Sequence, residues 1–271
     1  MSESKIDSLL EQCNSGEPSQ IVKGVQELLS LRAYSAVPTI VDLLNSADAV
    51  IRFTAAEALG YLGQPNPESV GQALVNLLVD SEVIVRSEAV DSLGILAYTA
   101  AIEPIKSLLQ NDPDPLVRAS AAETLGDLGQ EEAIPALFTA LLDPDESVRA
   151  YAANSLGLIG TVQLLPKLAS YIKSEKSLRV KAELLGASYR LGAREDIHIF
   201  LNLLENTDED MAIALLNILA DLIERKQPLA LVEDASCISE VLTQLSARFL
   251  ILSPQVKGLI VQLKALESDL N

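Results

Sequence analysis

A row of carboxylates, one histidine and two cysteines are the side chains in this sequence whose types could do chemistry. Glu57, Asp91 and Glu123 each fall five residues after an arginine, and paired carboxylates are common general acids and bases. Such a pair needs a nucleophile, a metal-ligating histidine or a means of excluding water beside it, and the sequence offers none of these in the row. His198, the single histidine, sits in the apolar stretch DIHIFLNLL, where an imidazole at a core edge or on the surface is expected. Cys13 and Cys237 are too few and too far apart for a disulfide framework or a four-ligand metal site, and read as isolated structural thiols. Glycine-rich nucleotide loops and the GxSxG, HExxH and Walker patterns do not occur. No catalytic residue, no metal and no cofactor is expected.

The elements that position the row announce themselves by repetition. IRFTAAEALGYLG from Ile51, VRSEAVDSLGILA from Val85, VRASAAETLGDLG from Val117 and VRAYAANSLGLIG from Val148 superimpose residue for residue. Arg52, Arg86, Arg118 and Arg149 are each followed by Leu-Gly seven and eight residues on. Arg179 opens a fifth, degraded copy in which Leu185-Gly186 comes one residue early, and a weaker sixth starts near Met211. The arginine-to-arginine steps of 34, 32, 31 and 30 residues fit two-helix repeats. AVPTIVDLL, SVGQALVNLL, AIEPIKSLL, AIPALFTALL and LLPKLASYI supply the first helix of each pair. Pro38, Pro104, Pro135 and Pro166 fall in its opening turn, where proline forfeits no helical hydrogen bond.

The turns between paired helices are rich in Asp, Asn, Ser and Pro, which cap the helix that follows. Asp48, Glu82, Asp114, Asp145 and Glu175 each lie four residues before the arginine of their repeat. They are expected to pair with Arg52, Arg86, Arg118, Arg149 and Arg179 in a structural ladder that bridges neighbouring repeats and sets their register. The Leu-Gly pairs are expected to let helices approach closely, because glycine adds no side chain.

Acidic residues outnumber Lys and Arg 38 to 20, for a net charge of −18. Nucleic-acid binding is therefore excluded, since phosphate neutralisation by basic side chains supplies most of that affinity. No uninterrupted apolar run of about 18 residues appears, and Glu3, Lys5, Asp7 and Glu11 occupy the place of a signal peptide's apolar core. Membrane insertion is not expected and the cytoplasm is. With no Trp, four Phe and six Tyr among 49% hydrophobic residues, the core must be built from Leu, Ala, Val and Ile.

The unit of aliphatic-Arg, small apolar residues, Leu-Gly and acidic turn resembles the short HEAT-like repeats of the E/F-type phycobilin lyase superfamily, over about residues 36–192. The resemblance implies an all-α, right-handed α-solenoid of about six to seven two-helix repeats in a single domain, 1–271. Residues 1–33 would form an N-terminal cap, 34–192 the regular repeats, and 193–271 degenerate repeats with a C-terminal cap, broken at Gln227-Pro228 and Ser253-Pro254. It also implies second helices lining a concave face. On that face the positions two, five, six and nine residues after each arginine oppose the buried stripe. Glu57, Tyr61, Glu88, Asp91, Glu123, Asp127, Tyr151 and Asn154 are the expected contacts there, among Thr54, Ala58, Ser92, Ile95, Ser120, Thr124, Ser155 and Leu158. Such a groove suits a protein partner, with a basic helix or peptide held by charge and by tyrosine contact area. What the family implies is a noncatalytic scaffold that assists assembly or maturation of a partner such as a phycobiliprotein subunit, or a bilin lyase, or an interaction partner of A-type iron-sulphur carriers. One histidine excludes the paired His-Glu di-iron chemistry of the related deoxyhypusine hydroxylases.

Overall fold

The computed structural model describes residues 3–225, 228 and 230–268. Sixteen α-helices and no strand occur among them, which is the all-α class, and none of the helices is long and apolar enough to cross a membrane. The chain divides into two compact units, 1–136 and 137–271. In the first, α1 (Glu3–Cys13) and α2 (Pro18–Ser30) are followed by the pairs α3 (Val37–Leu43) with α4 (Ala49–Leu62), α5 (Pro67–Asn76) with α6 (Val83–Ile95), and α7 (Ile102–Asn111) with α8 (Pro115–Leu128). Helix α9 (Ile134–Ala140) carries the boundary. In the second unit α10 (Glu146–Ile159) is followed by α11 (Leu165–Ser174) with α12 (Leu178–Arg190), α13 (Asp196–Glu205) with α14 (Glu209–Glu224), and α15 (Leu231–Arg248) with α16 (Ser253–Ser268).

Within the first unit the second helices stack on one another, α2 on α4, α4 on α6 and α6 on α8, while α3, α5 and α7 pack against them as a separate layer. The second unit repeats this with α10 on α12, α12 on α14 and α14 on α16. Its core gathers Leu185, Tyr189, Phe200, Leu215, Leu219 and Leu242, so helical pairing continues beyond the residues that carry the Leu-Gly code. Helix α16 opens at Ser253-Pro254, whereas Gln227 of the other expected break lies outside the described residues.

The local signals act as their chemistry dictates. A single 3-10 turn precedes α3, α7, α9 and α11, and Pro38, Pro104, Pro135 and Pro166 then take opening positions of those helices, where a missing N–H costs nothing. The Leu-Gly pairs are contact points between stacked second helices. A Cβ on Gly60 would lie 3.1 Å from Ser92 Cα, and one on Gly157 only 2.8 Å from Ala187 Cα, so backbones meet where these residues have no side chain.

The arginine ladder differs from its expected form by two residues. Arg52 donates from Nε and Nη2 to both oxygens of Asp80 at 2.7 and 2.8 Å. Arg86 does the same to Asp112 at 2.8 and 3.0 Å, and Arg149 reaches Glu175 at 3.1 and 3.5 Å. Asp80 and Asp112 stand six, not four, residues before the next arginine. Nη1 of each arginine meanwhile clamps its own turn, donating to the carbonyls of Ser46 and Ala47, of Asp80 and Ser81, of Asp112 and Pro113, or of Asp143 and Pro144. The carboxylates four residues before the arginine are occupied elsewhere: Asp48, Asp114 and Asp145 accept from the N–H groups of Val50, Leu116 and Ser147. Capping an unsatisfied helix start takes these short side chains out of the guanidinium's reach. Glu82 makes no side-chain cap, and only Glu175 joins the ladder while also holding the N–H of Ser177.

Candidate functional site: the acidic face of the second helices

In the first unit α4, α6 and α8 carry Glu57, Asp91 and Glu123 at one repeat position, all half-buried. Glu88 stands one turn before Asp91, half-buried as well, whereas Tyr61 and Asp127 are exposed. Among the described residues no ion pair joins Lys or Arg to Glu57, Glu88 or Asp91. Burial, and like charge after it, show in the proton affinity of Glu88 and Asp91. Burial, with Asp91 and Glu57 adding repulsion, pushes the Glu88 carboxyl up to about 7, partly offset by the Ser92 hydroxyl. Burial likewise raises Asp91 against the hydrogen bond from Ser120, with Asp127 adding to the rise.

The expected stripe needs one correction. Positions six residues after each arginine do not face outward: Ala58, Ser92, Thr124 and Ser155 are all buried, as are Thr54 and Ser120 at the second position. Ser92 Oγ lies 2.9 Å from the Ala56 carbonyl oxygen and Thr124 Oγ1 3.3 Å from that of Val90. These hydroxyls join one second helix to the preceding one, and their small size is what the facing glycine and alanine require. Ser92 also lies 3.0 Å from Glu88 Oε1, but a serine with no accessible surface, bonded to a backbone carbonyl, is no nucleophile. Among the described residues no group of three His, Cys, Asp or Glu side chains is arranged to hold a metal ion.

In the second unit the row changes character. Tyr151 is half-buried on α10, and Asn154, in the row position, donates to Asp221 of α14 at 2.8 Å and lies 3.5 Å from Glu183 of α12. Arg190 of α12, its side chain 1% exposed, pairs with Asp221 at 2.8 Å. Burial, reinforced by Asp221, lifts Glu183 to about 7, against the opposing pull of Asn154, Arg179 and Arg190. Thus the acids here are balanced within the protein, unlike Glu57, Glu88 and Asp91 of the first unit. Glu183, Arg190 and Asp221 escaped the sequence reading. Glu183 was within reach, because Leu185-Gly186 comes one residue early and moves the row position with it, whereas nothing marks Arg190 or Asp221 as partners.

The remaining reactive types are structural or remote. Cys13 is buried, its sulphur 3.1 Å from where a Cβ on Gly24 would be, and burial raises its thiol. Cys237 is exposed and its thiol is also raised, by desolvation and by Asp234, Glu240 and Glu205. His198 lies exposed on α13. Tyr189, buried, donates to Asp234, which also receives Arg194, a network that ties α12 to α15.

Two opposed pH effects follow. A carboxyl whose folded pKa is raised binds a proton more tightly when folded, so Glu88 and Glu183 make stability rise as pH falls from about 8 towards 5. Asp80, lowered chiefly by the Arg52 hydrogen bond, contributes stability above its ordinary value that is lost as pH falls through its folded one. Asp112 and Glu175 act in the same direction, since arginine and backbone N–H bonds overcome the effect of their burial. Thermal melts across pH are therefore expected to peak between about pH 4 and 5. The decline towards pH 8 should flatten in Glu88→Gln/Glu183→Gln, and an unchanged decline would contradict the assignment.

A family model for HEAT repeats matches residues 6–94, 71–150, 102–188 and 134–220 in overlapping spans. A HEAT repeat-containing taxis protein of Halobacterium salinarum is 32% identical over 125 residues, 39% of this chain and 30% of that protein. The phycocyanobilin lyase subunit beta of Nostoc sp. is 29% identical over 114 residues, 41% of this chain and 54% of that protein. The matches thus span about a third and about half of these curated relatives. Among solved structures, the CpcE–CpcF phycocyanin lyase complex of Nostoc sp. PCC7120 shares the fold with a TM-score of 0.62 at 21% identity, over 85% of this chain and 94% of that one. The chain belongs to the HEAT-repeat family, and its repeats are of the kind that phycobilin lyase subunits carry.

Proposed function

We propose that the chain is a noncatalytic protein-binding scaffold that assists assembly or maturation of a partner protein through the acidic second-helix face of its first unit. The observation that carries this reading is the set Glu57, Glu88 and Asp91, half-buried on one face with no Lys or Arg paired to them, where burial raises the Glu88 and Asp91 carboxyls and Asp91 and Glu57 add repulsion at Glu88. A basic segment laid along α4, α6 and α8 would relieve that repulsion, and exposed Tyr61 beside Glu57 would supply aromatic contact area. Phycobiliprotein subunits are the first partners to test, given the similarity to lyase subunits. A-type iron-sulphur carriers are the second, through surface contact or the exposed Cys237, since Cys13 is buried.

The test is affinity capture from a cyanobacterial lysate, with and without free bilin, by the native chain and by Glu57→Lys/Asp91→Lys/Glu123→Lys. Captured protein should be colourless and fall at least tenfold for the folded triple variant, with native binding weakening as salt rises. Unchanged capture with unchanged salt dependence would remove the acidic face from the interface. The similarity to the phycocyanobilin lyase subunit favours one other reading, bilin handling. Bilin retained on the native chain, with a shifted absorbance, would establish that reading in place of the scaffold.

A further inference from the structure

A second surface of the first unit repeats with the same period as the ladder and lies at a different edge. Val50, Ile84 and Leu116 each stand two residues past the N-cap of α4, α6 and α8, and are 54%, 47% and 51% exposed. Large aliphatic side chains thus recur at one exposed position of three successive stacked helices, as a ridge along the helix starts, and apolar surface gathered along one edge marks an interaction site. Val79, 85% exposed, extends it between repeats. The corresponding position of α10 is Ser147, so the aliphatic choice belongs to the first unit and is not demanded by the repeat.

Acid is in excess beside the ridge. Residues 45–50, 79–84 and 111–116 contain Asp48, Asp80, Glu82, Asp112 and Asp114 but no Lys or Arg. Asp80 and Asp112 are balanced by Arg52 and Arg86. Asp48 and Glu82 also act on Arg52, and Asp114 on Arg86, at longer range, so five carboxylates face the three guanidiniums of Arg52, Arg86 and Arg118 along this edge. A second copy of this acidic chain would be repelled, as would an anionic membrane.

Spacing selects the shape of the occupant. Packed helices lie about 8–10 Å apart, and an α-helix advances about 10.5 Å in seven residues. We propose that the ridge Val50–Ile84–Leu116 docks a basic amphipathic helix of a partner protein, lying across α4, α6 and α8. Such a helix presents one apolar residue per heptad to each ridge residue and Lys or Arg to Asp48, Glu82 and Asp114. This surface is separate from the acidic face and does not depend on its function.

A fluorescein-labelled 21-residue helix with Leu at every seventh position and Lys flanking them is the probe, titrated against the full chain by fluorescence anisotropy. Saturable binding is expected, weakened at least tenfold in Val50→Ser/Ile84→Ser/Leu116→Ser and changed less than threefold in Glu57→Lys/Asp91→Lys/Glu123→Lys. A peptide of identical composition with Leu at every fifth position should bind at least tenfold more weakly. These are surface substitutions, and Ile84→Ser alone, expected to weaken binding about threefold, serves if the triple variant does not fold. No saturable binding, equal binding of the respaced peptide, serine variants that bind as the native chain does, or an equal loss in the acidic-face variant would each overturn the proposal.

Discussion

Replacing Arg86 by Met is expected to lower stability by about 3–5 kcal/mol, because it leaves a buried carboxylate without its partner. The Asp112 side chain is 3% exposed and receives both Nε and Nη2 of Arg86. Its burial alone would raise its pKa, and the guanidinium with the Asp114 N–H overcomes that. The same substitution strips the carbonyls of Asp80 and Ser81 of their Nη1 donor. Urea unfolding of Arg86→Met, Asp112→Leu and the double variant separates these losses. The double variant should regain about 1–3 kcal/mol relative to the sum of the single ones, since it removes the pair and not one half of it. Strict additivity would mean that the guanidinium acts mainly on its own turn.

The second large effect is Leu125→Ala, expected to cost about 2–5 kcal/mol. Leu125 is fully buried on α8, at the core position that recurs as Leu59, Leu93 and Leu156. Removing its isobutyl group opens a cavity between helices whose backbones are already close, so the site has little freedom to collapse. Thermal melts should show the loss, while probe binding at the ridge and partner capture at the acidic face should persist in the folded fraction. A loss under about 1 kcal/mol would mean that the stack relaxes into the space.

Much of this fold was legible because repeats restate their own rules. Proline in an opening turn, glycine at a backbone crossing and an aliphatic-Arg pair at a helix start each answer one local physical demand, and each recurs with the period of the stack. The ladder's partner was harder to see because two acidic positions share that period. The one nearer the helix is drawn into capping, and the one two residues earlier is left for the arginine. Which carboxylate does which depends on reach, not on spacing alone.

The acidic face was readable as far as Glu57 and Asp91, which one whole repeat separates, with Glu88 one turn before Asp91 on the same helix. The same reasoning failed at Ser92 and Thr124, because helical periodicity in one helix cannot tell a solvent-facing residue from one pressed against the next repeat. It missed Arg190 and Asp221 for a related reason. Their pairing joins different repeats after the Leu-Gly register has slipped, and no local pattern records it. The aliphatic ridge was present in the sequence as Val50, Ile84 and Leu116, but only their exposure distinguishes it from core.

The most direct test of the central claim places a photoreactive phenylalanine analogue at Tyr61, on the acidic face, and in a second variant at Ser107, exposed on α7 in the other helix layer. After irradiation in a cyanobacterial lysate, a colourless protein adduct from position 61, suppressed by Glu57→Lys/Asp91→Lys/Glu123→Lys and not formed from position 107, is the predicted result. Equal adducts from both positions, or a coloured bilin adduct from position 61, would contradict a scaffold that works through this face.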